Sequence, residues 1–242
     1  MSKEAILIHG WDPNYYNSKI KNQEINKGIA WSHRPELIRL LNQQYDLQYF
    51  NLPGFAGTPE PRTSYYDVEN FSEKLAKYIS KNRSKPKVII GYSFGGVITL
   101  DYKIRYKVDT PIVLISPAIV RQESAKSSIA SIAKKVIPTS LVTGLKDKYQ
   151  TAFSKYYREG TPFLKKSYDR IVREDLSGLL EKVDPDATLL VYGTKDTSTP
   201  WTLVENIAKK YNIDYVLIKD GEHNIGQTHP KDIADAINRF LK

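Results

Sequence analysis

Residues 88–96 read Val-Ile-Ile-Gly-Tyr-Ser-Phe-Gly-Gly, and the chain resumes with Val-Ile-Thr-Leu at 97–100. The apolar run predicts a strand buried on both faces, and the segment after it suits a helix. Between them stands Gly91-Tyr92-Ser93-Phe94-Gly95, a G-x-S-x-G pattern on the strand-to-helix turn. Such a turn holds its serine in a strained backbone conformation and pushes the hydroxyl out at the carboxyl edge of the sheet. Side chains two residues before and two after would meet neighbouring backbone, which explains a glycine at both places. The following helix aims its dipole and its free N–H groups at the hydroxyl, an arrangement that favours developing negative charge. The bare pattern arises by chance in roughly one chain in ten of this length. Its flanking strand and helix give it weight.

The rest of the 242 residues supplies the sheet that this turn requires. Short apolar runs at Ala5–Ile8, Leu47–Phe50, Lys87–Ile90, Pro111–Ile115, Thr188–Tyr192 and Tyr215–Ile218 predict six strands. Their continuous rather than alternating hydrophobicity predicts burial on both sides. Helical spacing fills the gaps: Val68, Phe71, Leu75, Tyr78 and Ile79 share one face, as do Leu203, Val204, Ile207 and Tyr211. The second of these helices is expected to start at Thr199-Pro200, with Thr199 as its cap. A last helix follows Pro230 and carries Ile233, Ile237, Phe240 and Leu241. The pattern predicts a doubly wound, mostly parallel α/β sheet.

One segment breaks the alternation. Residues 118–183 show helical spacing (Ile129, Ile132, Val136; Tyr168, Ile171, Val172) without a convincing strand. The expected organisation is a core over 1–117, a helical insertion over 118–183 that rejoins the core near Leu176–Leu180, and the rest of the core over 184–242. The insertion holds 13 Lys and Arg against 7 Asp and Glu, so it carries +6 of the chain's net charge of +9. A solvated, lysine-rich surface accounts for most such imbalances, and no nucleic-acid signature accompanies this one.

Other classes are removed quickly. No cysteine is present, which excludes disulfides, thiolate ligands and a cysteine nucleophile. Four histidines without an H-E-x-x-H spacing make no dedicated zinc site. No window approaches the apolar length of a membrane span. The opening MSKEAILIHG reads as a first strand rather than a secretory leader, and the expected compartment is the cytoplasm.

Five motifs in register give the chain a family resemblance. His9-Gly10-Trp11 follows the first strand, Leu52-Pro53-Gly54-Phe55-Ala56-Gly57 the second, and Gly91-Tyr92-Ser93-Phe94-Gly95-Gly96 the third. Gly193-Thr194-Lys195-Asp196 follows the next-to-last strand, and Gly221-Glu222-His223 the last. The chain thus resembles the α/β-hydrolase superfamily over almost its whole length, in the serine-nucleophile, esterase-like branch with a helical lid. The order Ser…Asp…His is that of the superfamily.

The resemblance implies Ser93 as nucleophile, His223 as general base and Asp196 as the carboxylate that orients it. His229 is expected at the start of the last helix, away from the chemistry. His9 is expected in a structural role, and His33 in an exposed part of a long loop. Asp220 and Glu222 would have to fold back to reach the base. The acid position that some relatives use, after the preceding core strand, is Ser116-Pro117 here and offers no carboxylate. The backbone N–H groups of Trp11 and Phe94 would form the oxyanion hole, and no metal or organic cofactor is implied. The connection over 12–34, with Tyr15, Tyr16 and Trp31, is far longer than the usual 2–6 residues. It leaves the chain beside that oxyanion hole and is expected to cover the entrance.

The implied reaction is hydrolysis of a carboxylic ester or a related small acyl substrate, with an anionic substrate suggested by the basic insertion. Thioester, amide or C–C hydrolysis, acyl transfer and a catalytically silent binding protein remain alternatives. The oligomeric state is left open.

Overall fold

The computed structural model describes residues 3–21, 26–120 and 159–242. Six strands form one parallel sheet: β1 (Glu4–Ile8), β2 (Asp46–Phe50), β3 (Val88–Tyr92), β4 (Ile112–Ile115), β5 (Thr188–Gly193) and β6 (Asp214–Ile218). Their spatial order is β2-β1-β3-β4-β5-β6. The register sets Ile8 beside Gly91, Tyr92 beside Ile115, Ile115 beside Val191, and Gly193 beside Ile218. The carboxyl ends of β1, β3 and β5 therefore reach the same edge. The chain winds outward from β1 to β2, then back past β1 to β3 and onward. The reversal lies between β1 and β3, where open parallel sheets leave a crevice for ligands.

The inner strands read as expected. Every residue of β3, β4 and β5 is buried, and β1 is buried from Ala5 onward. Burial of each such Val, Leu or Ile contributes about 1.5–3 kcal/mol. The edge strands differ from the expectation of two buried faces: β2 is half-buried up to Phe50, and β6 leaves Tyr215 and Leu217 exposed. An apolar run predicts a strand, but only position in the sheet decides whether a helix covers each face.

Two helix pairs supply that cover. One is α2 (Val68–Asn82), capped by Asp67 and Asn70 in a reciprocal box, against α3 (Phe94–Tyr106). The other is α1 (Pro35–Asn42) against the C-terminal helix α7 (Pro230–Phe240). In chain order, α4 (Pro162–Ile171), α5 (Glu205–Lys210) and the short α6 (Ile225–Thr228) lie between these elements. Among the described residues no helix is long and apolar enough to cross a membrane.

Much of the expected insertion, including Ile129, Ile132 and Val136, lies outside the described residues. Its last third is helix α4, whose Phe163, Leu164 and Ile171 are buried, then a 3-10 stretch, Ser177–Lys182, that buries Leu180. The helix expected from Thr199-Pro200 begins later: Pro200 precedes a 3-10 turn, Trp201–Leu203, and α5 starts at Glu205. Thr199 does not cap it. Its hydroxyl is engaged at the sheet edge.

Candidate active site

Ser93 occupies the turn between β3 and α3 with φ 52° and ψ −115°, a conformation that side chains rarely adopt. Packing holds it there. Its N–H donates to Ile115 O at 2.8 Å, and its carbonyl accepts from Gly96 N–H at 3.0 Å. A Cβ on Gly91 would stand 2.5 Å from Gly95 O and from Thr99 Oγ1; one on Gly95 would stand 2.2 Å from Ile8 O. Both glycines are therefore steric requirements, as the sequence suggests. They let the end of β1 press directly on the turn.

Two loops that follow β5 and β6 converge on Ser93 because they are stitched to each other. Thr194 N–H donates to Ile218 O at 3.0 Å and Lys195 N–H to Gly221 O at 2.8 Å. Thr194 Oγ1 accepts from Asp220 N–H at 2.9 Å. A Cβ on Gly193 would collide with Gly221 O at 2.2 Å, so the two backbones touch. Asp196 and His223 are consequently neighbours. His223 Nδ1 lies 2.9 Å from Asp196 Oδ2, and His223 Nε2 lies 3.1 Å from Ser93 Oγ. With its proton on Nδ1, the imidazole donates to the carboxylate and accepts from the hydroxyl at Nε2.

The Asp196 side chain is fully buried and its carboxylate is saturated with donors. Oδ1 accepts from the N–H groups of Ser198 at 2.8 Å and Thr199 at 2.9 Å. Oδ2 accepts from Thr199 Oγ1 at 2.7 Å as well as from His223. Burial alone would raise the Asp196 pKa. Hydrogen bonds from His223 and Thr199, with the charge of His223, outweigh it and hold the carboxyl below its ordinary value. The group stays ionised.

Tyr92, adjacent to Ser93 and 1% exposed, braces the loop that carries His223. Its hydroxyl donates to His223 O at 2.7 Å and accepts from Gly226 N–H at 3.2 Å. The Arg34 guanidinium lies over the same ring at 4.0 Å. Sequence reading missed Tyr92 and Thr199. Both act through contacts with chain segments far away or in a turn, and neither leaves a periodic signal. Thr199 three residues after Asp196 is the one hint available, since such spacing permits an Asx-type turn.

The expected oxyanion donors flank the serine. A Cβ on Gly10 would lie 3.0 Å from Ser93 Cβ and 3.6 Å from Ser93 Oγ, which brings the segment carrying Trp11 to the hydroxyl. Phe94 is the first residue of α3, where an N–H has no intrahelical partner. Among the described residues neither the Trp11 nor the Phe94 N–H has a protein acceptor. The Trp11 ring is packed: its Nε1 donates to Tyr16 OH at 2.7 Å, and it meets Phe55, Phe71 and Phe94 edge-on. Tyr168 of α4 lies against it at 5.6 Å.

The remaining histidines stand apart from this cluster. His9 is buried, donates from Nδ1 to Gly10 O at 2.8 Å and accepts at Nε2 from Leu52 N–H at 3.1 Å. It clamps the loop after β1 to the loop after β2, and burial lowers its pKa to about 4. His33, expected to be exposed, is half-buried: its ring stacks on Tyr15 and its Nδ1 bonds the Tyr15 hydroxyl. Burial and then the charge of Arg34 lower its pKa to about 4. His229 precedes α7 and bonds Thr228 Oγ1 at 2.7 Å. Asp220 pairs with Lys195 at 2.8 Å on the surface. The first part of the long 12–34 connection is zipped to the loop after β2 through Asn17 N–H to Gly54 O, Ala56 N–H to Tyr15 O and a Tyr16–Phe55 bridge. Four aromatics of the insertion that its sequence offers to the site, Tyr149, Phe153, Tyr156 and Tyr157, lie outside the described residues.

Known proteins share this frame. A model of the alpha/beta hydrolase family matches residues 5–236. An uncharacterized hydrolase of Bacillus subtilis, YugF, is 24% identical over 240 residues, covering 88% of this chain and 86% of its own. A pimeloyl-[acyl-carrier protein] methyl ester esterase of Wigglesworthia glossinidia brevipalpis is 23% identical over 270 residues, covering 100% of this chain and 94% of its own. Among solved structures, a bromoperoxidase from Bacillus anthracis superposes with a TM-score of 0.68 at 20% identity, covering 100% of this chain and 92% of its own. That likeness shows the fold.

Proposed function

This chain belongs to the alpha/beta hydrolase family, and from that membership we propose that it is a serine hydrolase that cleaves a carboxylic ester or related small acyl compound through an acyl-enzyme on Ser93. One observation carries the reading: a continuous path of two hydrogen bonds, 3.1 Å and 2.9 Å, from Ser93 Oγ through the His223 ring to Asp196.

His223 Nε2 takes the hydroxyl proton as Ser93 Oγ attacks the acyl carbon. The carbonyl oxygen becomes an oxyanion and is met by the N–H groups of Trp11 and Phe94. Removing one such donor typically costs about 3–4 kcal/mol of transition-state stabilisation. His223 then returns the proton to the departing alcohol, leaving the acyl group on Ser93. A water molecule, deprotonated by the same nitrogen, attacks the acyl carbon and releases the acid and the free serine. Asp196, ionised and held by four donors, keeps the proton on Nδ1 and balances the imidazolium at each half-reaction. Since neutral imidazole is the working form, the reading requires turnover to fall when acid protonates His223.

The insertion over 118–183 is read as a lid above this edge, and its charge as a bias toward anionic substrates. Packing of α4 residue Tyr168 on Trp11 supports the lid. Turnover of nitrophenyl esters of graded acyl length tests the reaction. Wild-type protein should hydrolyse the shorter members, with loss of many orders of magnitude in Ser93→Ala and His223→Ala. Equal turnover by wild type and Ser93→Ala overturns the proposal.

A further inference from the structure

Thr199 stands where the carboxylate and the imidazole meet. Its hydroxyl lies 2.7 Å from Asp196 Oδ2, 3.2 Å from Ser116 O and 3.3 Å from His223 Nδ1. A hydroxyl has one proton to give. The 2.7 Å contact falls at the usual O–H···O distance, whereas 3.2 Å is beyond it, so the proton goes to Asp196. The oxygen that receives it, Oδ2, is the same oxygen that accepts His223 Nδ1–H. The two donors therefore compete for one negative charge. The hydroxyl lone pairs, in turn, face Nδ1–H and give it a second, weaker acceptor.

We propose that Thr199 is a positioning residue that sets the proton affinity of the His223 base by sharing Asp196 Oδ2 with it. The inference rests on the catalytic reading above. When Thr199 donates, part of the carboxylate charge is taken up, and the imidazolium is held less tightly. The base then gives up its proton more readily than it would without that hydroxyl.

The other groups around the ring leave room for this effect. From the end of β3 come Ser93 and Tyr92, whose ring meets His223 edge-on at 6.3 Å. Arg34, at the start of α1, acts from beyond the Tyr92 ring. From the loop after β5 come Asp196 and, on the surface, Lys195, which is paired with Asp220 of the loop after β6. Glu222 is the exposed chain neighbour. Among the described residues, Asp196 is the one carboxylate hydrogen-bonded to the ring, and Thr199 is the one side-chain hydroxyl on that carboxylate.

The test compares the pH dependence of kcat/KM for wild type, Thr199→Val and Thr199→Ser on one nitrophenyl ester. Valine keeps the shape and removes the hydroxyl; serine keeps the hydroxyl. The expected result is an acid-limb midpoint raised by about 0.5–1 pH unit in the valine protein, a fraction of what a hydrogen bond to a charged acceptor is worth. The serine protein should keep the wild-type midpoint, and KM should change little in either. A valine midpoint equal to that of wild type, lowered, or matched by an equal shift in the serine protein overturns the inference. Ser93→Ala is measured alongside. If it retains turnover, the catalytic reading itself has failed; if it is inactive while the valine midpoint stays fixed, only the role of Thr199 has.

Discussion

Lowering the pH from 7 to 5 should remove about 2 kcal/mol of folding stability through His9 alone. Both nitrogens of that ring are committed, one as donor to Gly10 O and one as acceptor from Leu52 N–H, and the residue is 2% exposed. A second proton would break the Leu52 contact and leave a buried cation. Burial is accordingly the main reason that its pKa falls from 6.5 to about 4. Between those two values the unfolded chain binds a proton that the folded chain refuses. Stability therefore rises with pH across the window and is lost as pH falls through it. The group favours unfolding by about 2 kcal/mol at pH 5 and by only about 0.2 kcal/mol at pH 7. His33, also lowered to about 4, acts in the same direction, with a smaller weight because its side chain is 24% exposed. Asp196 does not enter here: its depressed pKa adds stability that is lost only below the ordinary aspartate value of 3.8. Urea unfolding at pH 7, 6 and 5 reads the effect in wild type, His9→Gln and His33→Gln. Glutamine cannot titrate. The His9→Gln protein should be less stable at pH 7 yet lose about 2 kcal/mol less than wild type on going to pH 5. A His9→Gln protein that loses stability as steeply as wild type refutes the reasoning.

Gly95→Ala forces a methyl group to within 2.2 Å of Ile8 O. The cost should be about 3 kcal/mol, at the upper end of overpacking effects. A melting temperature lowered by about 6–12 °C would register it in calorimetry, and an unchanged one would contradict the close approach of β1 to the turn. For the proposed lid, nitrophenyl esters matched in length, with and without a terminal carboxylate, separate charge from shape. The carboxylate-bearing member should show the lower KM, and the advantage should shrink with added salt; equal kinetics would remove the anionic preference.

The inner sheet was legible because burial on both faces writes itself as an unbroken apolar run, as in Val88–Tyr92 and Ile112–Ile115. The turn at Ser93 was legible because steric contact at Gly91 and Gly95 leaves a fixed spacing. The convergence of Ser93, Asp196 and His223 could be expected from the order of strand ends, since a parallel sheet brings those ends to one edge. Three things did not follow from the residues. The half-exposed faces of β2 and β6 depend on where each strand falls in the sheet. The Thr199 hydroxyl fits a helix cap equally well on paper, and only the folded turn commits it to Asp196. The seating of His33 and Arg34 against Tyr15 and Tyr92 depends on how a long irregular connection closes, which no periodicity encodes.

The central claim is that Ser93 is an activated nucleophile. Reaction with a fluorophosphonate, followed by digestion and mass measurement, tests it without knowledge of the natural substrate. The account predicts one adduct per chain, on the peptide that carries Ser93, abolished in Ser93→Ala and strongly slowed in His223→Ala. An adduct at another residue, or equal labelling of wild type and Ser93→Ala, would contradict it.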